Sequence, residues 1–277
     1  MTDASPSLEI HPDLARRLLT DFLRTEIERA GFSRAVVGVS GGVDSALACF
    51  LAAEALGPKN VLAVRLPFAE SSADSLEDAA EVIRRTGVAS HTFDITPMAA
   101  PLLETIPAKD RVRRGNVLAR LRMIVLYDQS AAFGGLVVGT GNKTEALLGY
   151  TTLYGDSACA LNPIGDLYKT QVRQLAAAMG VPERILRKAP SADLWPGQTD
   201  EGELGMTYDE VDRLLVRLID DRQTPQACIE AGFAPSLVRR TVERIRKNQY
   251  KRLPPIIAKV SSRTPGTDFL YPRDWDT

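Results

Sequence analysis

Apolar positions change their period several times along the chain, and the changes mark out its elements. Leu14, Leu18, Leu19, Phe22, Leu23 and Ile27 recur at helical spacing behind Pro12 and Asp13, both suited to a helix start, so an amphipathic helix is expected over 13–30, ending at Gly31. AVVGV (35–39) reads as a strand, SALACFLAAEAL (45–56) as a helix, VLAVRL (61–66) as a second strand and 74–86 as a further helix. Residues 90–95 offer a third strand. GLVVGT (135–140) is a buried β run after a helix from about 116 to 133. Such alternation predicts an α/β fold, a doubly wound and mostly parallel sheet flanked by helices.

After Lys143 the pattern turns to helices separated by Pro and Gly, at 168–179, 207–220, 224–232 and 235–247. Between them, PSADLWPGQTDEGELG (190–205) mixes acids, glycines and prolines in a way that disfavours regular structure, which makes it a candidate lid. The stretch from Arg252 is rich in Pro and polar residues and should lie extended over the surface. There is no internal repeat. The expected organisation is one domain over 1–277: the N-terminal helix, a nucleotide-binding core over about 31–180, a lid and helical part over about 190–250, and a tail over 252–277.

Composition narrows the function classes without choosing one. No apolar run approaches the roughly 20 residues that a membrane span needs, and 34 Lys plus Arg against 35 Asp plus Glu leave no basic field for nucleic acid. The three cysteines, Cys49, Cys159 and Cys228, are odd in number and far apart, which speaks against a disulfide framework and for a reducing compartment. Cys49 lies in the apolar run LACFLA and reads as core. The opening MTDASPSLEIHPDLARR has no basic stretch followed by an apolar core, so no secretory leader is expected, and the expected location is cytoplasmic. With only His11 and His91, a zinc site and a Ser/His/Asp triad both fall away.

The chemistry is carried by VVGVSGGVDSA (36–46), which ends a strand and opens a helix, the place where a parallel sheet puts its phosphate-binding turn. Gly41 and Gly42 let the backbone approach an anion, Ser40 and Ser45 offer hydroxyls, and the helix N-terminus supplies positive potential. Asp44 would repel phosphate oxygens unless Mg²⁺ intervened; otherwise it is a helix cap. The loop is neither GxxxxGK[ST] nor GxGxxG, which sets aside P-loop kinases and dehydrogenases. Further on, VVGTGNKTEALLGYTTLYGDSA (137–158) carries Glu145, either a second carboxylate for the same metal or part of a solvated helix start.

SGGVDS resembles the pyrophosphate loop of the N-type ATP pyrophosphatases, whose sheet is of the adenine nucleotide alpha hydrolase-like, Rossmann-like kind. GTGNKTE, YGD, GDLYKTQV (165–172) and PSADLWPGQTDEGELG, in this order, resemble the NAD synthetases of the short, ammonia-dependent type over about 12–265. The resemblance implies a C–N ligase that uses ATP to adenylate deamido-NAD and then lets ammonia displace AMP, with pyrophosphate as the other product. It implies that Gly38, Val39, Ser40, Gly41, Gly42, Val43, Asp44 and Ser45, with Thr140, Lys169 and Ser191, bind ATP. Asp44 and Glu145 would bind Mg²⁺, and Asp44 and Lys169 would be catalytic. Arg120, Leu153, Asp156, Tyr250 and Lys251 would meet deamido-NAD. Arg111, Arg113, Arg114 and Arg122 surround Arg120 as a local basic patch, which either suits a substrate with a carboxylate and a pyrophosphate or is a solvated helix face. A homodimer is implied, with ammonia entering directly or from a separate glutaminase.

Two positions depart from the short type, which commonly has Lys inside TxYGD and His-Lys near the C-terminus; here stand Leu153 and Tyr250-Lys251. NQYKRLPP is closer to the synthetase portion of glutamine-dependent enzymes. The rivals are a GMP synthetase or tRNA-modifying relative and a nonenzymatic nucleotide sensor. The first expects other downstream motifs, the second paired cysteines or a basic RNA surface. Asp44, Glu145 and Lys169 together speak against the sensor.

Overall fold

A computed structural model describes residues 8–268 except 192, 194 and 196. The first helix, α1 (Pro12–Arg29), is capped by His11, whose ring accepts from the Leu14 amide, and carries Pro12 in its first turn, where a missing N–H does no harm. Then follow β1 (Ala35–Gly38), α2 (Val43–Leu56), β2 (Val61–Arg65), α3 (Ala73–Thr86) and β3 (Ala89–Thr92), the alternation that the sequence predicts. The strand expected at 90–95 is shorter, because the chain turns at Asp94 into α4 (Thr96–Leu103). This helix was not anticipated: Pro97 and Pro101 interrupt its pattern, yet Pro97 sits in the first turn where it is tolerated. The next helix, α5 (Arg111–Phe133), starts five residues before the expected Asn116, since Asp110 accepts from the Arg113 amide and caps it there. After it comes β4 (Leu136–Val138).

The four strands are all parallel, in the order β3-β2-β1-β4. Their alternating residues face two cores. Ala35, Val37, Val61 and Ala63 pack with α1 and α2, while Val36, Leu62 and Val64 pack with α4 and α5. The chain therefore steps outward from β1 to β2 to β3, then crosses back through α4 and α5 to place β4 on the other side of β1. A crevice opens between β1 and β4 at their carboxyl ends.

The rest is helical: α6 (Lys143–Leu148), α7 (Lys169–Ala178), α8 (Glu183–Arg187), α9 (Asp200–Leu204), α10 (Tyr208–Leu215), α11 (Pro225–Glu230) and α12 (Pro235–Lys247). The helix expected over 207–220 ends at Leu215 and widens into a π turn over Val216–Asp220. Leu204, Tyr208, Val211, Leu214, Leu215, Cys228, Leu237 and Val238 form a separate small core for this part. Residues 253–268 run without helix or strand, and the last stretch of the expected tail, 269–277, lies outside the described residues, as do residues 1–7. Only part of the apolar stripe on α1 is used within the chain: Leu23 and Ile27 are buried, while Leu14 and Leu18 remain 53% and 60% exposed.

One buried carboxylate joins the two parts. Asp212 of α10 is fully buried, and its Oδ1 accepts from the Thr144 hydroxyl at 2.6 Å while its Oδ2 accepts from the Thr170 amide at 2.9 Å. Thr144 in turn accepts from the amide of Lys169 at 3.0 Å, so α6, α7 and α10 meet at one side chain. Asp212→Ala leaves two buried donors without an acceptor and should lower stability by about 1–3 kcal/mol. Thermal unfolding of the variant checks this; an unchanged midpoint would mean that the carboxylate holds nothing.

Candidate active site

The site is assembled at the crevice. The turn from β1 to α2 places Gly41 at φ +86, where a Cβ would collide with the Ser75 carbonyl and fall 3.0 Å from the Asp78 Cβ, so only glycine fits. The Ser40 amide donates to Ser45 Oγ at 3.2 Å, and the Gly42 amide donates to Ser40 Oγ at 3.3 Å. These bonds fix a tight arch whose other amides, with the first turn of α2, face a cavity of about 1030 Å³. Gly38, Val39, Ser40, Gly42, Val43, Asp44 and Ser45 line that cavity, with Thr140 from the end of β4 and Ser191 from the lid segment. Gly41 points away and packs on α3.

Asp44 is not the cap of α2: Gly42 holds that position without a side-chain bond. Its carboxylate instead accepts from Asn142 Nδ2 at 2.9 Å and pairs with the Lys169 ammonium. Lys169 is only 2% exposed, and its Nζ also lies 3.4 Å from Glu145 Oε1. Burial works against the charge of Lys169, but Asp44 and Glu145 outweigh it and hold the ammonium above its ordinary pKa. Burial pushes Glu145 up, with Lys169 pulling it back and Asp44 pushing it further. Glu145 serves as a helix start as well, because it and Asn142 form a reciprocal cap at α6, at 2.9 and 3.2 Å. Glu145 therefore does start the helix, but its side chain is largely buried against Lys169 rather than solvated. The ring of Tyr208 lies 5.2 Å from Lys169 Nζ, and its hydroxyl donates to Asp200 at 3.1 Å.

The residues implied for deamido-NAD divide into two groups. Asp156 and Lys251 line the cavity. Asp156 accepts from Thr151 Oγ1 at 2.6 Å and from the Thr152 amide at 2.8 Å, and Lys251 donates to the carbonyls of Gly149 and Thr151 at 2.8 and 2.7 Å. Arg120, Leu153 and Tyr250 do not line the cavity. Arg120 is exposed and donates to the Leu153 carbonyl at 3.3 and 3.2 Å, and Tyr250 is 59% exposed beside the same loop. The basic patch splits along the faces of α5: Arg111 and Arg122 line the cavity, Arg113 pairs outside with Asp110, and Arg114 donates to the Leu103 carbonyl.

Several lining residues went unread in the sequence. Lys188 donates to Asp78 at 2.8 Å and to Ser75 at 3.0 Å on α3, and Asp200 and Glu203 come from α9, the helix that forms inside the expected lid. The Thr199 side chain, which accepts from the Gly202 amide, is the local signal that α9 starts there. No local signal marks Lys188. Cys49 is buried in the core as expected, its thiol pushed up to about 12 by burial. Among the described residues, no group of three or more His, Cys, Asp or Glu is placed to hold a metal by itself, and no helix is long and apolar enough to cross a membrane.

Comparison with known proteins agrees with this geometry. An NH(3)-dependent NAD(+) synthetase of Trichlorobacter lovleyi is 53% identical over 268 residues, which are 97% of this chain and 98% of that protein. Among solved structures, an NH3-dependent NAD synthetase of Campylobacter jejuni superposes with a TM-score of 0.77 at 31% identity, covering 90% of this chain and 100% of that one. An NMN synthetase of Francisella tularensis superposes with a TM-score of 0.80 at 32% identity, covering 90% and 99%. The sequence pattern of the NAD synthase family matches residues 15–255. Motif order, parallel sheet and crevice thus lead to one assignment: this chain belongs to the NAD synthase family.

Proposed function

We propose that the chain is an ammonia-dependent NAD synthetase that adenylates the nicotinate carboxylate of deamido-NAD with ATP, releases pyrophosphate, and lets ammonia displace AMP. The observation that carries this reading is the convergence of Asp44, Glu145 and Lys169 beside the SGGVDS arch inside the cavity. A carboxylate does not react with ammonia directly, because an oxide ion is too poor a leaving group. Adenylation replaces that oxide by AMP. The protein's contribution is then positioning and charge neutralisation, and no protein nucleophile is needed.

The amides of the arch, the hydroxyls of Ser40 and Ser45 and the N-terminus of α2 are suited to receive the β and γ phosphates. Lys169 stands beside them with its charge secured by two carboxylates, so it can neutralise the departing pyrophosphate. Thr140 and Ser191 line the nucleotide's side of the cavity. Asp44 and Glu145 fit Mg²⁺ by their chemistry: both are hard oxygen donors held near each other by the Lys169 ammonium, and the ion takes one or two carboxylates together with phosphate oxygens and waters. When bound, it would supply positive charge between these carboxylates and the phosphates.

Asp156 and Lys251, with Arg120, Leu153 and Tyr250 on the outer side of the same loop, are proposed to recognise deamido-NAD. Lys251 ties down the 149–151 turn and adds positive charge beside it. A second chain lying against this outer face would complete the pocket, so a homodimer is part of the proposal. Sedimentation should then give the mass of two chains. A cytoplasmic setting is proposed from the free thiols Cys49, Cys159 and Cys228. The single-domain organisation expected from the sequence is retained, and ammonia is taken as the nitrogen source, direct or from a separate glutaminase.

The test is pyrophosphate release by the purified chain with deamido-NAD, nicotinate mononucleotide, a guanine-type acceptor and tRNA offered separately, with ammonium or glutamine as nitrogen source. Turnover with deamido-NAD and ammonium is expected. Preference for another acceptor, or equal use of glutamine, would overturn the reading. Two substitutions probe the site itself. Asp44→Asn should lower kcat by about 10²-fold or more while the fold stays intact, as charge-neutralising groups of this kind act on the transition state; chelation of magnesium should have the same effect. Lys251→Ala should raise KM for deamido-NAD more than KM for ATP, and equal changes in both would refute the assignment to one substrate.

A further inference from the structure

The run GNVLARLRM places two arginines two residues apart on α5, roughly 200° apart around the helix axis. They point to different surroundings. Arg120, the one that the family pattern marks, lies on the exposed side beside Leu153. Arg122 turns into the cavity wall, where its Nε donates to the Leu66 carbonyl at 3.1 Å, one residue past the end of β2.

The surroundings of Arg122 are those of a cation held ready for an anion. Among the described residues no carboxylate forms an ion pair with it, and no hydrogen bond is seen from its Nη1 and Nη2 groups to the protein. Burial works against its charge, while Asp193 and Asp156 favour the charge from longer range. A guanidinium stays charged even so, because its pKa starts far above neutrality. Arg122 is half-buried, and its terminal nitrogens reach the solvent of the cavity, where an entering anion can take them up. The Leu66 bond fixes the near edge of the guanidinium and leaves the terminal nitrogens for that ligand.

Its position says which ligand. Leu66 follows β2, which is paired with β1, the strand that leads into the pyrophosphate arch, with Gly38 opposite Val64. Asp156 belongs to the loop proposed for deamido-NAD, and Asp193 belongs to the lid segment, where its Oδ2 accepts from the Ser72 amide at 3.0 Å. Arg122 therefore stands between the ATP side of the cavity and the deamido-NAD side. We infer that Arg122 is a catalytic residue of the adenylation step, donating at once to the nicotinate carboxylate and to the α-phosphate of ATP. This rests on the proposed function and deepens it.

The chemistry favours an arginine there. In this step a carboxylate oxygen forms a bond to the α-phosphorus, and the bond from that phosphorus to the α,β-bridging oxygen breaks, its electron pair leaving with pyrophosphate. No proton is transferred. Two anions must nonetheless approach to bonding distance, and a non-titrating cation with parallel donors offsets their repulsion without offering a proton that would quench the nucleophile. Lys169 is engaged beside the arch by Asp44 and Glu145, on the leaving-group side, so the attacking side needs a cation of its own.

The experiment measures acyl-adenylate formation in single turnovers, by rapid quench with ATP labelled in the α-phosphate, deamido-NAD and no ammonia, for the unsubstituted chain, Arg122→Gln and Arg122→Lys. ATP affinity is measured separately by calorimetry, and thermal unfolding is followed for each. The adenylation rate should fall by about 10²–10³-fold in Arg122→Gln, the usual effect of losing an oriented donor to the transition state, with a much smaller loss of ATP affinity, about 10-fold or less, and the unfolding midpoint nearly unchanged. Arg122→Lys should recover part of the rate, since it restores charge without the fork. Adenylation within about 3-fold of the unsubstituted chain in both variants would overturn the inference. So would a rate loss matched by an equal loss of ATP affinity or of stability, which is what a side chain that only holds Leu66 in place would give. If the unsubstituted chain forms no adenylate with deamido-NAD, the proposed function fails first and the role of Arg122 with it.

Discussion

A single buried ammonium, that of Lys169, is the constraint around which the rest of this molecule is arranged. It begins α7, yet its charge is balanced by Asp44 at the start of α2 and Glu145 in the first turn of α6, separated from it by 125 and 24 residues. A charge left wholly unpaired in that position would be strongly disfavoured, and two carboxylates share the task of balancing it. The three helices therefore have to meet where they do. The backbone repeats the requirement: the Lys169 amide donates to Thr144, Thr144 donates to Asp212, and Asp212 also accepts from the Thr170 amide. Side chain and main chain of one residue are held by separate partners, which leaves the ammonium little freedom to wander.

This arrangement lies on the edge of a sheet that supplies the other half of the site. Because β1 leads to β2 on one side while β4, reached from β3, pairs on its other side, the strand order reverses at β1 and β4 and a crevice opens at their carboxyl ends. The arch of residues 40–45 occupies the crevice from the α2 side, and Thr140, Asn142 and Glu145 enter from β4 and α6. The packing of Gly41 on Ser75 and Asp78 ties the arch to α3, and Lys188 closes on the same two residues from the lid side. Arch, α3 and the start of the lid are thus one connected unit, so occupation of the arch and placement of the lid share the same contacts.

The segment from Asn248 to Arg252 has a comparable part at the other end of the cavity. Asn248 donates to the Leu148 carbonyl, Lys251 to those of Gly149 and Thr151, and Arg252 to those of Ala146 and Leu147. Those of Leu147 and Leu148 lie in the last turn of α6, where no following helical amide reaches them, and those of Gly149 and Thr151 lie in the turn beyond it. A cation before the tail therefore steadies the turn that carries Thr151, Thr152 and Asp156. The exchange of His for Tyr250 is accommodated because that side chain points outward, and Leu153, in place of Lys, presents its backbone carbonyl to Arg120.

What the sequence determined by itself was whatever depends on neighbours along the chain. The period-2 and period-3.6 patterns located β1, β2, α2, α3 and α12, because each element buries a face of its own residues, and the glycines of SGGVDS announced the arch because the required backbone conformation is a local property. Family motifs named Asp44, Glu145 and Lys169, which the fold brings together beside the arch. The sequence missed α4, where prolines interrupt the pattern, and the early start of α5, where one aspartate moves the boundary. Only the tertiary structure decided that Asp44 serves Lys169 rather than capping α2, that Glu145 is both cap and partner, that Arg122 faces inward while Arg120 faces out, and that Lys188 and Asp200 reach the cavity. The physical reason is the same in each case. Electrostatic partners and burial are set by distances in space between segments far apart in sequence, and no local periodicity records which of two charged residues on one helix will meet them.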